Sequence, residues 1–326
     1  MGLACSRLCV MIPLLLVALN GDGRARDGFC MRYAIVSDIH ANQEALQAVL
    51  QEMRRIERRS GLPIDGLWCL GDLVGYGPDP GPCVALVRSN TDVVISGNHD
   101  QAVAGVLPQE RFNDSAQVTA DWTRERLTQD HLRYLAGLPE RQVIGACTLV
   151  HGSPRNPVWE YLTSADVATL SFPFFSTPLC IVGHTHVPTI FLQREEQAVP
   201  VGKAMQQDRQ TGDSPQGVLP EDLLGLETLD RLAAEQEALI RGTATACEML
   251  TPGEGHWVPP PGYRAIVNPG SVGQPRDGDA RAAFMVYDTE RGCEFYRVEY
   301  PLEQTQRKIW RSGLPARMAL RLSYGL

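Results

Sequence analysis

Five polar clusters succeed one another along this chain: Asp38-Ile39-His40, Gly71-Asp72, Gly97-Asn98-His99-Asp100, His151-Gly152 and Gly183-His184-Thr185-His186. Between them they hold five of the seven histidines, leaving out His131 and His256. Carboxylate oxygens mixed with imidazole nitrogens and one asparagine amide suit borderline or hard divalent cations such as Mn, Fe, Zn or Ni. No cysteine belongs to any cluster. With about seven donors and a carboxylate free to bridge, two ions roughly 3.5 to 4 Å apart are the natural occupancy.

Taken singly, the clusters have plainer readings. Asp38-x-His40 could be a turn aspartate beside a satisfied histidine, and Gly71-Asp72 is ordinary turn chemistry. Gly97-Asn98-His99-Asp100 could use Gly and Asn for positive φ, and His151-Gly152-Ser153-Pro154 could be a strand exit. Gly183-His184-Thr185-His186 is the strongest alone, because at a strand end the imidazoles at i and i+2 point to the same side. Their joint occurrence carries the argument. His131, in a polar helix, and His256, beside Trp257 in a Pro-rich loop, read as solvated or packing residues.

Apolar runs must position these clusters. Tyr33 to Ser37, Gly66 to Leu70, Val93 to Ser96 and Val143 to Val150 directly precede the first four, and Cys180 to Val182 gives a shorter run before the fifth. Such runs read as fully buried strands bounded by turn-forming Gly and Asp. In open α/β sheets the carboxyl ends of the strands line the ligand crevice, so five strands would deliver their polar tips to one place.

In these motifs, and in Ser37-Asp-Ile-His-Ala-Asn42, Gly71-Asp-Leu-Val-Gly-Tyr-Gly-Pro-Asp-Pro80 and Asn268-Pro-Gly-Ser-Val-Gly-Gln-Pro-Arg-Asp-Gly278, the chain resembles the calcineurin-like metallophosphoesterases. It looks most like their small bacterial phosphoesterase and phosphodiesterase branch. The resemblance runs from about Met31 to about Gln193 and resumes from about Tyr263 to the C-terminus. It implies a four-layer α/β/β/α sandwich of two mixed β-sheets flanked by helices. It further implies that Asp38, His40 and His186 hold one metal, that Asn98, His151 and His184 hold the other, and that Asp72 bridges them. Mn is the first expectation for the two divalent ions, with Fe, Zn or Ni as alternatives. The implied reaction is in-line attack on phosphorus by a shared hydroxide. His99, next to Asn98, would protonate the leaving alkoxide, or else merely orient Asn98 or Asp72.

One departure bears on substrate class. Ser/Thr protein phosphatases and diadenosine tetraphosphate hydrolases of that superfamily carry Gly-Asp-x-x-Asp-Arg-Gly, whereas this chain reads Gly71-Asp72-Leu73-Val74-Gly75-Tyr76-Gly77. Gly75 removes a carboxylate that pairs with the catalytic histidine, and Tyr76 removes a phosphate-binding arginine. The expectation is a small phosphoester, a diester ahead of a monoester or phosphoprotein. Arg276 is the remaining candidate for a phosphate clamp, its planar fork matching phosphate geometry, unless it pairs with Asp277 or Asp279 within its turn. Asn268 and Ser271 read as loop-shaping. A non-catalytic scaffold of the same fold is the contrasting class, but scaffolds commonly lose site residues and none is missing here.

Composition agrees with an enzyme. The 326 residues are 44% hydrophobic, enough for one large core with or without an appendage, and the net charge of -8 argues against a nucleic-acid groove. The one dense basic run, Arg54-Arg55-Ile56-Glu57-Arg58-Arg59, reads as the solvated end of a helix complementing its dipole. That helix spans about Asn42 to Arg59, with Leu46, Val49, Leu50, Met53 and Ile56 at helical spacing. Asp79 to Asn90 and Asp114 to Ala136 predict further helices, the latter with Trp122 and Leu127 inward. Ala265 to Val267, Ala282 to Tyr287 and Glu294 to Val298 predict strands of a second sheet packed on the first.

The phosphoesterase domain is thus expected over 31–193 and 263–326. Residues 1–30 hold an apolar stretch, Leu8 to Leu19, well below the ~20 residues a membrane span requires. Met31 precedes the first strand directly, so translation is expected to start there, with a short signal-like segment as the alternative. Nine cysteines without paired spacing, several inside predicted buried strands, fit a reducing cytoplasm rather than export. Residues 194–262 read as an acidic insertion, disordered over 194–219. A helix opens at Pro220 and closes by Gly242, with Leu226, Leu229, Ala233 and Ile240 as its apolar stripe. It would pack on its own domain, cover the site or form a homo-oligomer contact. A small phosphoester is the expected partner, with neither nucleic acid nor stable membrane association.

Overall fold

The computed structural model describes residues 30–108, 112–195 and 247–326. The leading segment and the helix expected over 220–242 lie outside the described residues.

The first βα unit shows how the local signals work. β1 (Arg32–Val36) is buried on both faces, and α1 (Gln43–Ser60) begins where the Asn42 side chain accepts from the Ala45 amide at 3.2 Å. An N-cap of this kind satisfies one of the amides that a helix start leaves unpaired. Gly61, at φ 69°, closes the helix in the left-handed conformation that a side chain would resist. β2 (Gly66–Cys69), α2 (Pro80–Asn90) and the two-residue β3 (Val93–Val94) follow, and β1, β2 and β3 pair in parallel.

The chain then runs through α3 (Asn98–Ala104), α4 (Asp114–Arg124), α5 (Gln129–Ala136), β4 (Arg141–Ile144), β5 (Cys147–Val150), α6 (Ala165–Ser171), β6 (Leu179–Ile181) and β7 (Thr189–Arg194). After residue 247 come β8 (Glu248–Leu250), β9 (Gly255–Trp257), β10 (Tyr263–Asn268), β11 (Ala282–Asp288), β12 (Gly292–Val298), α7 (Leu302–Ser312) and α8 (Ala316–Leu322). One six-stranded sheet has the order β3-β2-β1-β11-β12-β9 and the other β4-β5-β6-β10-β7-β8. Both mix parallel and antiparallel pairs.

The layers follow from which side each residue faces. Ile35, Trp68 and Met285 of the first sheet meet Leu149, Ile181 and Val267 of the second in a core between the sheets. The alternate residues Ala34, Val36 and Phe284 pack outward against Leu46 and Val49 of α1 and Val84 of α2. Val150, Cys180 and Ile266 pack outward against Ala168 and Phe172. Strands apolar on both faces make this a four-layer α/β/β/α sandwich, as expected.

Several sequence expectations are corrected. Val143 to Val150 is a tight hairpin rather than one strand, because Gly145 turns at φ 55° and pairs Ile144 with Cys147. Asp114 to Ala136 is two helices, since the Thr128 side chain caps a new start by accepting from the His131 amide. The strands after residue 263 do not form a sheet of their own. β10 completes the sheet of β5 and β6, while β11 and β12 extend that of β1. The end of the stretch taken as insertion also belongs to the sandwich, as β8 pairs with β7 and β9 with β12. Its short, exposed strands carry too weak an alternation to be read. Among the described residues no helix is long and apolar enough to cross a membrane.

Candidate metal centre

Strand ends from both sheets converge on one buried site. The loops after β1, β2 and β3 bring Asp38, His40, Asp72 and Asn98, and those after β5 and β6 bring His151, His184 and His186; each of these side chains is at most 2% exposed. The loops are zipped together by backbone hydrogen bonds, Asp38 N to Gly71 O at 3.0 Å, His40 N to Asp72 O at 2.9 Å and Gly183 N to His151 O at 2.8 Å. Asn268 joins the last loop, donating to Gly183 O at 2.6 Å and Thr185 Oγ1 at 2.9 Å, and Ser271 Oγ donates to Asp38 O at 2.8 Å.

The backbone is strained where the donors sit. Among the described residues seven non-glycines have positive φ: Asp38, His40, Ala41, Asp72, Tyr76, His184 and His186. Such conformations cost roughly 1 to 3 kcal/mol each and persist only where the surroundings over-determine them. Five of the seven are residues singled out for their donor atoms. This also corrects the reading of Gly183-His184-Thr185-His186: the pair lies in a left-handed loop between β6 and β7, so strand alternation does not orient it. His184 and His186 turn apart, toward different neighbours.

The donor atoms form two groups that share one carboxylate. Asp38, His40, Asp72 and His186 make the first, and Asp72, His151 and His184 the second, the atoms of each lying within 4.8 Å of one another. In the first, His40 Nε2 lies 3.1 Å from His186 Nε2 and 3.6 Å from Asp72 Oδ2, and His186 Nε2 lies 3.3 Å from Asp38 Oδ1. In the second, His151 Nε2 lies 3.2 Å from His184 Nδ1, 3.2 Å from Asn98 Oδ1 and 3.3 Å from Asp72 Oδ2. Asn98 thus joins the second group.

What the imidazoles can do there is set by their outer nitrogens. His40 Nδ1 meets Val74 O at 3.1 Å, His151 Nδ1 meets Leu70 O at 2.7 Å, His186 Nδ1 meets Gln274 O at 2.5 Å and His184 Nε2 meets Trp159 O at 3.3 Å. A carbonyl only accepts, so each of these nitrogens carries the N–H, and wherever the ring is neutral the lone pair of its other nitrogen turns inward. Burial, the largest influence, holds His40, His184 and His186 well below the usual imidazole range. His151 is the exception: burial pulls it down, but the negative charge of Asp72, 3.3 Å away, outweighs that and raises it to about 9.

The carboxylates complete the case for cations. Asp72 Oδ1 accepts the His99 amide at 2.9 Å at the start of α3, but Asp72 Oδ2 and Asp38 Oδ1 are buried with no hydrogen-bond partner. Lone pairs facing lone pairs beside unpartnered carboxylate oxygens fit divalent ions, which need deprotonated donors and oriented imidazoles.

His99 packs between Tyr76 and Phe112, ring centroids 4.4 and 4.7 Å away. Its Nδ1 is buried without a partner, and burial, reinforced by Arg276, lowers the ring to about 4. Gly75, at φ 88°, lies against it: a Cβ there would come within 2.6 Å of His99 Nδ1. A side chain at position 75 would therefore have to displace the His99 ring, a carboxylate more than a methyl group.

Arg276 turns toward the site. Asp277 pairs with Arg297 and Asp279 with Arg281, so neither acid of its turn engages it. Its Nη2 donates to Gln274 Oε1 at 3.0 Å, its Nε is buried without a partner, and its Cζ stands 6.0 Å from the Tyr76 ring centre. His131 on α5 and His256 on β9 stand apart from the donors.

Other contributors carry no signal that sequence reasoning could use. Asp100 is buried, accepts from the Gly97 and Val74 amides at 3.1 and 3.2 Å, and is pushed up to about 8, first by burial and then by Asp72. Its place in the Gly-Asn-His-Asp cluster was the one hint of a role. Tyr161 stacks on His184 with centroids 3.7 Å apart, and Trp159 supplies the carbonyl for the same ring. Both lie in an irregular stretch whose course only the fold determines.

Comparison with known proteins agrees with this site. Residues 31–188 match the calcineurin-like phosphoesterase family. The uncharacterized protein MJ0912 of Methanocaldococcus jannaschii is 30% identical over 298 residues, covering 90% of this chain and 97% of that protein. A metallophosphoesterase from Sphaerobacter thermophilus is 38% identical in its crystal structure, with a TM-score of 0.66 over 91% of this chain and 99% of that one. A hypothetical protein of Pyrococcus horikoshii, 19% identical, shares the fold at a TM-score of 0.63 over the same shares of the two chains. Fold and donor cluster together define a metal-dependent phosphoesterase. The chain belongs to the calcineurin-like phosphoesterase family.

Proposed function

We propose that the protein hydrolyses a small phosphoester, a diester in preference to a monoester, with two divalent ions, Mn first among them. Asp38, His40 and His186 would hold one ion, Asn98, His151 and His184 the other, and Asp72 both. The observation that carries this is the convergence of inward lone pairs on two unpartnered carboxylate oxygens. When bound, such ions lower the pKa of a shared water and draw charge from the phosphoryl oxygens.

The chain's own residues do the rest. Arg276 offers its unpartnered Nε to a phosphoryl oxygen. Water adds to phosphorus, the bond from phosphorus to the ester oxygen breaks, and His99 gives the departing alcohol its proton. Nε2 is the nitrogen for this, because Nδ1 lies over Gly75. Arg276 is among the groups that hold His99 at about 4, and an anionic phosphoryl group beside both acts in the opposite sense. Gly75 and Tyr76 in place of an aspartate and an arginine support a small substrate over a phosphoprotein. The buried free cysteines, Cys69, Cys147 and Cys180 among them, are consistent with a reducing cytoplasm.

The experiment is hydrolysis of bis-p-nitrophenyl phosphate and p-nitrophenyl phosphate with added Mn²⁺, Ni²⁺ or Mg²⁺. Wild type loaded with metal is expected to exceed Asp72→Asn on both compounds and to favour the diester. A wild type no faster than Asp72→Asn on either sinks the catalytic reading.

A further inference from the structure

Among the described aromatic side chains around the metal centre, Tyr76, Phe112, Trp159 and Tyr161, only Tyr161 is exposed, at 45%. It sits in the loop between β5 and α6, and its neighbours are held. Glu160 accepts from Ser153 Oγ at 2.5 Å and from Arg155 Nε at 3.2 Å, and Leu162, 3% exposed, belongs to the apolar core outside the second sheet. The Tyr161 ring lies on His184, with centroids 3.7 Å apart and planes 26° from parallel.

Stacking accounts for the ring and not for the hydroxyl, because a phenyl ring would cover the imidazole equally well. The surroundings of the oxygen show where it stands. Burial first raises the phenol; next comes the positive charge of Arg276, which opposes the rise, and then Tyr76 and Asp72, which add to it. All three line the metal centre, so the hydroxyl lies on that side of the ring. Arg276, whose Cζ is 6.0 Å from the Tyr76 ring centre, reaches the same space from the loop between β10 and β11.

The phenol proton is left for a further acceptor. Arg276 carries only donors, Asp72 Oδ1 already takes the His99 amide at 2.9 Å, and Asp72 Oδ2 has no hydrogen-bond partner. A neutral O–H beside a guanidinium whose Nε is also unpartnered, both turned toward two groups of metal donors, is an arrangement that a phosphoryl anion completes.

We infer that Tyr161 is a catalytic residue whose hydroxyl donates a hydrogen bond to a non-bridging phosphoryl oxygen next to Arg276. It keeps its proton throughout, and His99 supplies the one that leaves with the alcohol. The bond strengthens as the attack of water places more negative charge on that oxygen. This rests on the phosphoesterase reading and deepens it, adding a neutral donor from the loop after β5 to the cation from the loop after β10.

Tyr161→Phe tests it in the full chain, since it keeps the ring on His184 and removes only the oxygen. In Mn²⁺-loaded protein, kcat/KM for bis-p-nitrophenyl phosphate is expected to fall about tenfold, the loss of one charge-assisted hydrogen bond, with both ions retained by elemental analysis and the unfolding midpoint unchanged. Inorganic phosphate titrated calorimetrically into the same metal-loaded protein should bind the variant about fivefold more weakly than wild type. Tyr161→Ala also uncovers His184 and is expected to lose the ion of the second group as well. Equal phosphate affinity of Tyr161→Phe and wild type, or equal kcat/KM where the ester is hydrolysed, overturns the inference and leaves the ring as a mere prop for His184. Release of an ion from Tyr161→Phe overturns it too. If wild type hydrolyses no nitrophenyl ester, the phosphoesterase reading fails by itself, and the phosphate titration still decides whether the hydroxyl meets a phosphoryl oxygen.

Discussion

The two donor groups of the metal centre are built from unlike parts. Asp38, His40 and His186 bring a carboxylate of their own to Asp72, and burial keeps both imidazoles neutral. Asn98, His151 and His184 bring none; their only negative charge is the shared Asp72, which also raises His151 to about 9. On the proposed ligand sets, a cation at the second group would have to displace the His151 proton and rely on a borrowed carboxylate, so the first group is expected to be the tighter. The donor set is an asymmetric pair that shares one aspartate, and on the proposed reading that aspartate decides whether a second ion stays.

Asp72→Asn is the most direct way to break that comparison. Activity is expected to fall at least about 10³-fold, ~4 kcal/mol of transition-state stabilisation. Metal content by elemental analysis should drop from two ions to one, because Asp38, His40 and His186 remain. Loss of both ions together would mean that the groups are not unequal. The reciprocal His40→Asn change removes a donor from the tighter group and should weaken that ion instead.

His99→Ala comes next in size, with an expected loss of about 10²-fold in kcat, the lower end of what general acid catalysis contributes. Metal content should remain at two ions, which separates this role from ligation. A loss accompanied by release of the ion at Asn98 would show instead that His99 acts by orienting its neighbour. Gly75→Ala probes the same ring more gently: its Cβ would press on His99 Nδ1 at 2.6 Å at a φ of 88°. A drop of about tenfold in kcat with both ions retained is expected, since small misplacements of catalytic groups are costly.

How legible these groups are in the sequence follows from how each residue is positioned. Asp38, Asp72, Asn98 and His151 end apolar runs, so the strands announce them and the direction of a buried sheet supplies the destination. His184 and His186 are equally visible, yet the geometry that orients them is a left-handed loop. Alternation along a strand would have put both rings on one side, whereas they serve different groups. The crowding of His99 by Gly75, the pairing of Asp277 and Asp279 with Arg297 and Arg281, and the stacking of Tyr161 on His184 all depend on side chains distant in sequence. Short exposed strands such as β8 and β9 fail for another reason: three residues at a sheet edge show no periodicity, and pairing alone defines them.

The smallest expected effect is on stability, and it again separates the two groups. In the metal-free protein His99 falls to about 4, and His40, His184 and His186 also lie below their unfolded value of 6.5. A depressed histidine contributes stability that is present above 6.5 and is lost as pH falls toward the folded value, because the unfolded chain takes up the proton first. His151, raised to about 9, has the opposite sign: its contribution is full below 6.5 and fades as pH rises through about 9. Asp100, raised from 3.8 to about 8, has the same sign as His151 but an earlier start: its contribution is full below 3.8 and is lost as pH rises through about 8. The unfolding midpoint of chelator-treated protein should therefore decline on both sides of about pH 6.5, the acid limb from 6.5 down through about 4 and the alkaline limb from 6.5 up through about 9. His151→Gln should flatten the alkaline limb and spare the acid one, while His40→Gln should soften only the acid limb, each by a few degrees in a calorimetric scan. An alkaline limb unchanged by His151→Gln would remove the charge that makes the second group the weaker, and the asymmetry with it.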